Sequence, residues 1–276
     1  MKLWIFIFGL FVAAGPACAE PDVALPFRVG ESLEYRIHWG VVNVGYSRIT
    51  TEWVELEGRK LIAIRLRSRT NAVLSKLYPV DDFVESLVDP VTFRPVRFIK
   101  KIKQGGYHCD EETHFDYEKG IASWISKNGD ADKQYVIDEE SRDILTFLYY
   151  ARLDEFQPGT VVQRKLISDE KQYDLDIHCE QIEEVELDGY GKIECLKMEP
   201  KASFQGIFVR KGRMWMWVSR DPRRICTEIK SKVFVGKVSL TLCSVTGPGD
   251  DFWVTTPTSC SIDKQPRKRR PPFRRR

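Results

Sequence analysis

If this chain performs chemistry, the residues of suitable type at close spacing are His108-Cys109-Asp110-Glu111-Glu112-Thr113-His114. On an extended strand His108, Asp110, Glu112 and His114 share one face. Neighbours two apart are then placed to hold one metal ion or to act as an acid–base pair. All four cannot serve a single ion, because six residues of strand separate the ends by about 20 Å. The other face carries Tyr107, Cys109, Thr113, Phe115 and Tyr117, so the stretch has the polar-over-apolar pattern of an ordinary surface strand. The same alternation disarms the pairs His108-Cys109 and His178-Cys179, since adjacent strand residues point apart and do not close on a zinc ion. The expectation is no metal, no cofactor and no catalytic residue here. A Gly-x-Ser-x-Gly elbow, a His-Glu-x-x-His helix and glycine-rich nucleotide loops are also missing from the sequence.

A second candidate is apolar. Phe208 and the run Met214-Trp215-Met216-Trp217-Val218 are greasy on both faces of a strand. Such a strand is either central and covered on both sides, or the wall of a cavity that takes an acyl chain.

These residues need a frame, and the frame reads as mainly β. Leu33, Tyr35, Ile37 and Trp39 alternate with Glu34, Arg36 and His38, and Ile62, Ile64 and Leu66 alternate with Arg65, Arg67 and Arg69. Turn signals such as Asn128-Gly129 and Pro158-Gly159 recur at short intervals, which indicates antiparallel connections. One stretch departs from this. Residues 141–152 read as a helix, with Ser141 as its cap, Asp143 near the positive end of its dipole and Arg152 near the negative end. Ile144, Leu148 and Ala151 form its apolar stripe, widened by Leu145 and Phe147. The expected fold is one large curved antiparallel sheet, an open barrel or a sandwich, of about a dozen strands. The helix packs on it.

Residues 1–19 read as a secretory signal: Lys2, then an apolar run from Leu3 to Ala14, then Ala17-Cys18-Ala19 before the cut. The rival is a lipoprotein anchored at Cys18, to which Gly15-Pro16-Ala17 is a poor match. The expected compartment is periplasmic or secreted, where cysteines oxidise. Six of the seven cysteines lie beyond the leader. Cys226 and Cys243 flank a predicted hairpin turning near Phe234-Val235-Gly236, and Cys179 and Cys195 flank another turning near Asp188-Gly189-Tyr190-Gly191. Cross-strand neighbours can come within bridging distance, so the expected disulfides are Cys226–Cys243 and Cys179–Cys195.

Residues 20–247 form one domain in this reading, and 248–276 a flexible tail rich in Gly, Pro and Arg. Eight of the 43 basic residues lie in Lys264–Arg276 and one, Lys2, in the leader, so Glu20–Asp263 holds 34 bases against 40 acids. That balance excludes a basic nucleic-acid-binding domain. The segment Arg267–Arg276 would instead meet anionic envelope surfaces.

Four places in the sequence carry a family resemblance. They are Gly30-Glu31-Ser32-Leu33-x-Tyr35 with Trp39-Gly40 and Gly45, then Asp143-Ile144-Leu145-Thr146-x-Leu148-Tyr149-Tyr150-x-Arg152, then Met216-Trp217-Val218-Ser219-x-Asp221 with Arg223-Arg224, and last Gly236-Lys237-Val238 with Leu240 and Leu242. Together they resemble the domain of unknown function 3108 family of exported bacterial proteins. The resemblance implies a mainly β envelope protein without an assigned activity. We therefore expect a non-catalytic binding or carrier protein for a hydrophobic or amphiphilic molecule such as a lipid. The alternatives are an envelope scaffold tethered by the basic tail and, least favoured, a polymer hydrolase using Asp110 or Glu112 with a histidine. Asp143, Arg152, Trp217 and Asp221 are expected to act structurally.

Overall fold

The computed structural model describes residues 25, 27–130, 132–168, 171–202, 213–232, 236–258 and 260. The leader 1–19 with Cys18, the apolar candidate Phe208 and the basic segment Arg267–Arg276 lie outside the described residues.

Among these residues there are fifteen strands. The first eight are β1 (Ser32–Trp39), β2 (Val42–Leu56), β3 (Arg59–Thr70), β4 (Asp81–Val88), β5 (Pro95–Gln104), β6 (Tyr107–Asp116), β7 (Ile121–Ser126) and β8 (Lys133–Val136). After β9 (Arg142–Asp143) and helix α1 (Ile144–Tyr150) come β10 (Val161–Ser168), β11 (Lys171–Leu187), β12 (Gly191–Ala202), β13 (Met214–Ser219), β14 (Cys226–Lys232) and β15 (Lys237–Thr246). A short helix, α2 (Phe252–Thr255), closes the described chain.

All strands belong to one sheet in the order β8-β7-β6-β5-β4-β3-β2-β1-β15-β14-β13-β12-β11-β10-β9. Two meanders run outward from a shared seam where β1 pairs with β15, and only the β9–β10 contact is parallel. The sheet curves around α1 without closing, and β8 and β9 remain its two edges. Of the architectures the sequence left open, this is the single curved sheet.

The alternation explains the core. Leu33 and Tyr35 are buried from β1, while Ile62 and Ile64 pack into one cluster from β3 and Leu61 and Ala63 into another on the opposite face. Close approach of backbones matters at Gly45. A Cβ there would lie 2.2 Å from the Arg69 carbonyl oxygen on the neighbouring strand. Gly45→Ala is therefore expected to cost about 2 kcal/mol, because the β2–β3 ladder must part to admit one methyl group. Urea denaturation beside the wild type checks this, and an unchanged midpoint would contradict it.

The helix is shorter than its predicted 141–152 span. Asp143 rather than Ser141 caps it, accepting from the amides of Leu145 (2.9 Å) and Thr146 (3.0 Å). Ser141 is drawn away because its hydroxyl bonds to the Gln172 side chain and accepts from the Asp138 amide. Besides Thr146, the buried helix residues are Leu145, Phe147 and Tyr149 rather than the 144/148/151 stripe. The helix sits in the hollow of the sheet and is covered on most sides, contacting β3, β4 and β10. Burying each of the three large side chains contributes about 1.5–3 kcal/mol.

Both expected cysteine bridges are corrected. The disulfide joins Cys243 to Cys260, with Cα atoms 5.4 Å apart, and Cys109, Cys179, Cys195 and Cys226 are free thiols. The Asp188–Gly191 turn exists, but the register sets Cys195 opposite Glu183 and Cys179 opposite Met198, several residues apart along the ladder. The β14–β15 register, carried on from Glu228↔Thr241, would align Cys226 with Cys243. Bulges at Trp217/Val218 in the β13–β14 ladder and at Glu34/Tyr35 in the β1–β15 ladder break the alternation there. A one-residue slip sends side chains to the other face, so the two sulfurs part.

The boundary of the expected tail also moves. The chain past Gly247 continues as packed structure, with Trp253 buried in the same cluster as Leu33, Tyr35 and Trp217. The Tyr190 hydroxyl donates to the Trp253 carbonyl (3.1 Å) and accepts from the Val245 amide (2.8 Å).

Candidate ligand cavity and the ion network behind it

The inner faces of both meanders and one side of α1 enclose a cavity of about 170 Å³. Its walls are apolar: Leu33, Ile49, Leu66, Ile177, Met216 and Leu240 from the sheet, with Phe147, Leu148 and Ala151 from the helix segment. The few polar groups are already engaged. The Tyr35 hydroxyl donates to the Cys226 carbonyl (2.9 Å), and the Ser47 and Ser68 hydroxyls bond to each other (2.9 Å). Burial pushes the Tyr35 phenol well up and the Cys226 thiol up to about 12, so neither ionises near neutrality. The lining thus offers shape and apolar contact rather than an acid, a base or a nucleophile.

One side of the cavity meets a polar surface cleft. Phe156, Val218 and Arg224 line both, and Asp154, Glu155, Gln157 and Arg220 belong to the cleft alone. Arg224 stands at this junction with a backbone φ of 46°, donating to the Arg152 carbonyl (2.9 Å) and to Glu155 Oε1 (2.7 Å).

Beneath the helix lies a buried ion network. The Glu31 carboxylate is fully buried and takes Arg152 Nη1 at 2.6 Å and Nη2 at 3.1 Å. It also takes Arg223 Nη1 at 3.1 Å and the Tyr149 hydroxyl at 3.4 Å. Arg152 Nε donates to the Arg223 carbonyl (2.8 Å), and its guanidinium lies over the Phe27 and Tyr149 rings. Arg223 reaches on to Asp251 (2.6 Å) and the Pro248 carbonyl (3.0 Å). Burial alone would lower the Arg152 pKa, but the Glu31 charge more than offsets it and holds the guanidinium above its ordinary value.

A second rivet holds the start of the helix. Asp143 accepts from the hydroxyls of Ser86 (2.6 Å) and Thr146 (2.7 Å) in addition to its two amides. Burial raises its pKa, and those donors to the carboxylate pull in the other direction. Of the remaining expected structural residues, Trp217 is buried and its Nε1 donates to Glu183 (2.8 Å). Asp221 shapes the β13–β14 turn by accepting from the Arg223 amide (2.9 Å). The sequence pieces around Glu31, Tyr149–Arg152 and Asp221–Arg224 therefore converge on one network. Glu31 and Arg223 as its hub were not foreseen; a glutamate preceding a strand's alternation gave no hint of burial.

The polar strand cluster is elsewhere. Asp110, Glu111 and Glu112 on β6 meet Lys101 (3.4 Å), Lys100 (2.9 Å) and Lys127 (3.4 Å), and His114 lies 3.0 Å from Glu112. These are charge pairs of partly buried side chains, with Asp110 and Glu112 on one face of β6 and Glu111 on the other. Among the described residues no three His, Cys, Asp or Glu side chains are grouped to hold a metal ion. The tryptophans of β13 also stand apart from the cavity. Met216 and Val218 face it, whereas Trp215 and Trp217 lie under Arg213, Lys197 and Lys230 instead.

Fold and cavity define the class: a mainly β protein built on one open curved sheet, in which no helix among the described residues is long and apolar enough to cross a membrane. More narrowly, residues 34–242 match the family described as "Protein of unknown function (DUF3108)", and the chain belongs to it. The family comprises exported, mainly β bacterial envelope proteins, and the protein is accordingly periplasmic or secreted. The fold is similar to the crystal structure of a β-barrel-like protein of domain of unknown function DUF1849 from Brucella abortus. The TM-score is 0.54 at 10% identity, with 81% of this chain and 100% of that one covered. A comparison with curated proteins finds no match.

Proposed function

We propose that the protein is a non-catalytic binding protein that houses the apolar end of an amphiphilic envelope molecule in the cavity beneath α1. The observation that carries this is the cavity itself: an apolar space of about 170 Å³ inside a curved sheet, with its polar groups already satisfied. Its size is comparable to the ~150 Å³ apolar cavity that admits benzene in an engineered protein. It therefore takes an aryl group or a short stretch of acyl chain rather than a whole lipid. The junction with the polar cleft at Phe156 and Arg224 gives the ligand's polar end a place at the surface.

Native mass spectrometry of the mature protein from its own envelope fraction is expected to show a co-purifying mass of lipid size. In parallel, decanoate should displace the dye 1-anilinonaphthalene-8-sulfonate from the wild type. Met216→Trp, which fills the cavity, should weaken dye binding more than tenfold while overpacking costs about 1–3 kcal/mol of stability. Should that variant fail to fold, Leu240→Phe is the smaller filling change. An empty wild type that binds no dye, or filled variants that bind dye as the wild type does, would overturn the reading.

A further inference from the structure

We propose that one rim of the sheet is a docking surface for an anionic phospholipid bilayer. Three connections lie side by side at this rim: the β1–β2 turn, the segment 71–80 between β3 and β4, and the β5–β6 turn. Hydrogen bonds tie them together. Asn71 Nδ2 donates to the Asn43 carbonyl (2.6 Å), the Gly105 amide to the Pro79 carbonyl (2.8 Å) and the Gly40 amide to the Lys237 carbonyl (2.9 Å).

The rim presents large apolar side chains to solvent. Val41 is 97% exposed, Leu77 83% and Val73 77%, with Trp39, Val42 and Tyr107 half or more exposed beside them. Isolated exposed apolar residues are ordinary, but a row of them on adjoining turn tips marks an interaction site.

The charges around the row select the partner. Residues 39–44, 71–80 and 103–108 contain no Asp or Glu, in a chain that has 40. Lys76, Lys103, Lys232 and Lys237 are exposed at the same rim, and none of them has an ion-pair partner among the described residues. The acids that follow are turned to other tasks: Asp81 is held by Arg67 and Arg69, and Asp82 accepts from the Lys103 amide and Gln104. Apolar tips with aromatic side chains and exposed lysines, with Asp130 and Asp132 set off on the adjoining β7–β8 turn, match the acyl boundary and headgroups of an anionic leaflet. A protein partner would have to present an equally acid-rich and apolar face. The proposal stands apart from the cavity reading, because the rim residues named here do not line the cavity.

The test is co-sedimentation of the mature full-length protein with vesicles of phosphatidylethanolamine and phosphatidylglycerol at three to one. The salt is 0.5 M NaCl, where attraction between exposed charges is largely screened. The wild type is expected to stay bound, through its inserted side chains. Val41→Asp with Leu77→Asp should lower partitioning more than tenfold, and melting curves should show that both proteins fold. A variant with the arginines of 267–276 changed to serine should bind like the wild type at this salt, which separates the rim from the basic tail. Wild-type binding by the Val41/Leu77 variant would overturn the proposal, as would complete release of the wild type at 0.5 M NaCl. At about 0.1 M NaCl, where exposed charges still attract, equal binding of the arginine-to-serine variant to phosphatidylcholine alone would also overturn it, because the lysines would then select nothing.

Discussion

Glu31→Gln is expected to destabilise the protein by about 3–5 kcal/mol, read as a lowered midpoint in urea. The amide nearly preserves the shape of the carboxylate but removes the negative charge that Arg152 and Arg223 share. Of the two guanidinium groups, at 6% and 9% side-chain exposure, Arg223 would keep Asp251, but Arg152 would be left buried without a carboxylate. Leaving a charge buried and unpaired costs far more than the intact pair contributes. Arg152→Met should cost less, because Glu31 would keep Arg223 and the Tyr149 hydroxyl as donors. The double variant should be less harmful than the sum of the two, since each change relieves part of the imbalance left by the other. Added NaCl should leave these differences in place, because buried pairs are poorly screened. A Glu31→Gln midpoint within error of the wild type would show that the network is not under load.

What was legible in the sequence follows from how local each signal is. The alternation of Leu33 and Tyr35 with their polar neighbours, or of Ile62 and Ile64 with arginines, needs only a few residues to announce a strand. The strands accordingly fall close to where the pattern puts them. The two-residue β9 and the short β8 lack room for such a pattern, and both went unseen. The helix was legible as a type but not at its boundary. Asp143 and Ser141 are equally good caps by composition, and the contest was settled by Ser86 and Gln172, which lie far away in the chain. The same limit hid the cavity lining. Met216 and Trp217 are adjacent and equally apolar, and only the direction of the strand in the curved sheet says which one looks inward. Glu31 was legible as a letter in a motif, whereas its burial depends on Tyr149, Arg152 and Arg223 arriving from more than a hundred residues away.

Cysteine pairing was the least legible feature, and it supports the second large prediction. The mature protein is expected to carry one bridge, with an intact mass two hydrogens below the fully reduced value, and four thiols that escape alkylation until it is unfolded. Cys109, Cys179 and Cys195 are buried, and Cys226 lines the cavity. Burial holds the Cys195 thiol up at about 11 and those of Cys109 and Cys226 at about 12, so little thiolate is available at pH 8. Changing Cys260→Ser, with Cys243→Ser to avoid a stray thiol, should cost about 3 kcal/mol, the value for a loop of roughly this length. The bridge spans 17 residues of sequence and fastens a segment with little regular structure of its own. That segment holds Trp253 against Tyr190 at 5.1 Å between ring centres, and Asp251 against Arg223. Loss of the bridge should therefore loosen the Asp251–Arg223 contact, red-shift tryptophan emission as Trp253 gains water, and make Glu31→Gln more damaging than in the oxidised protein. A mass four hydrogens below the reduced value would mean a second bridge and contradict the free thiols. Unchanged stability in the double serine variant would show that the packing of Trp253 holds the segment by itself.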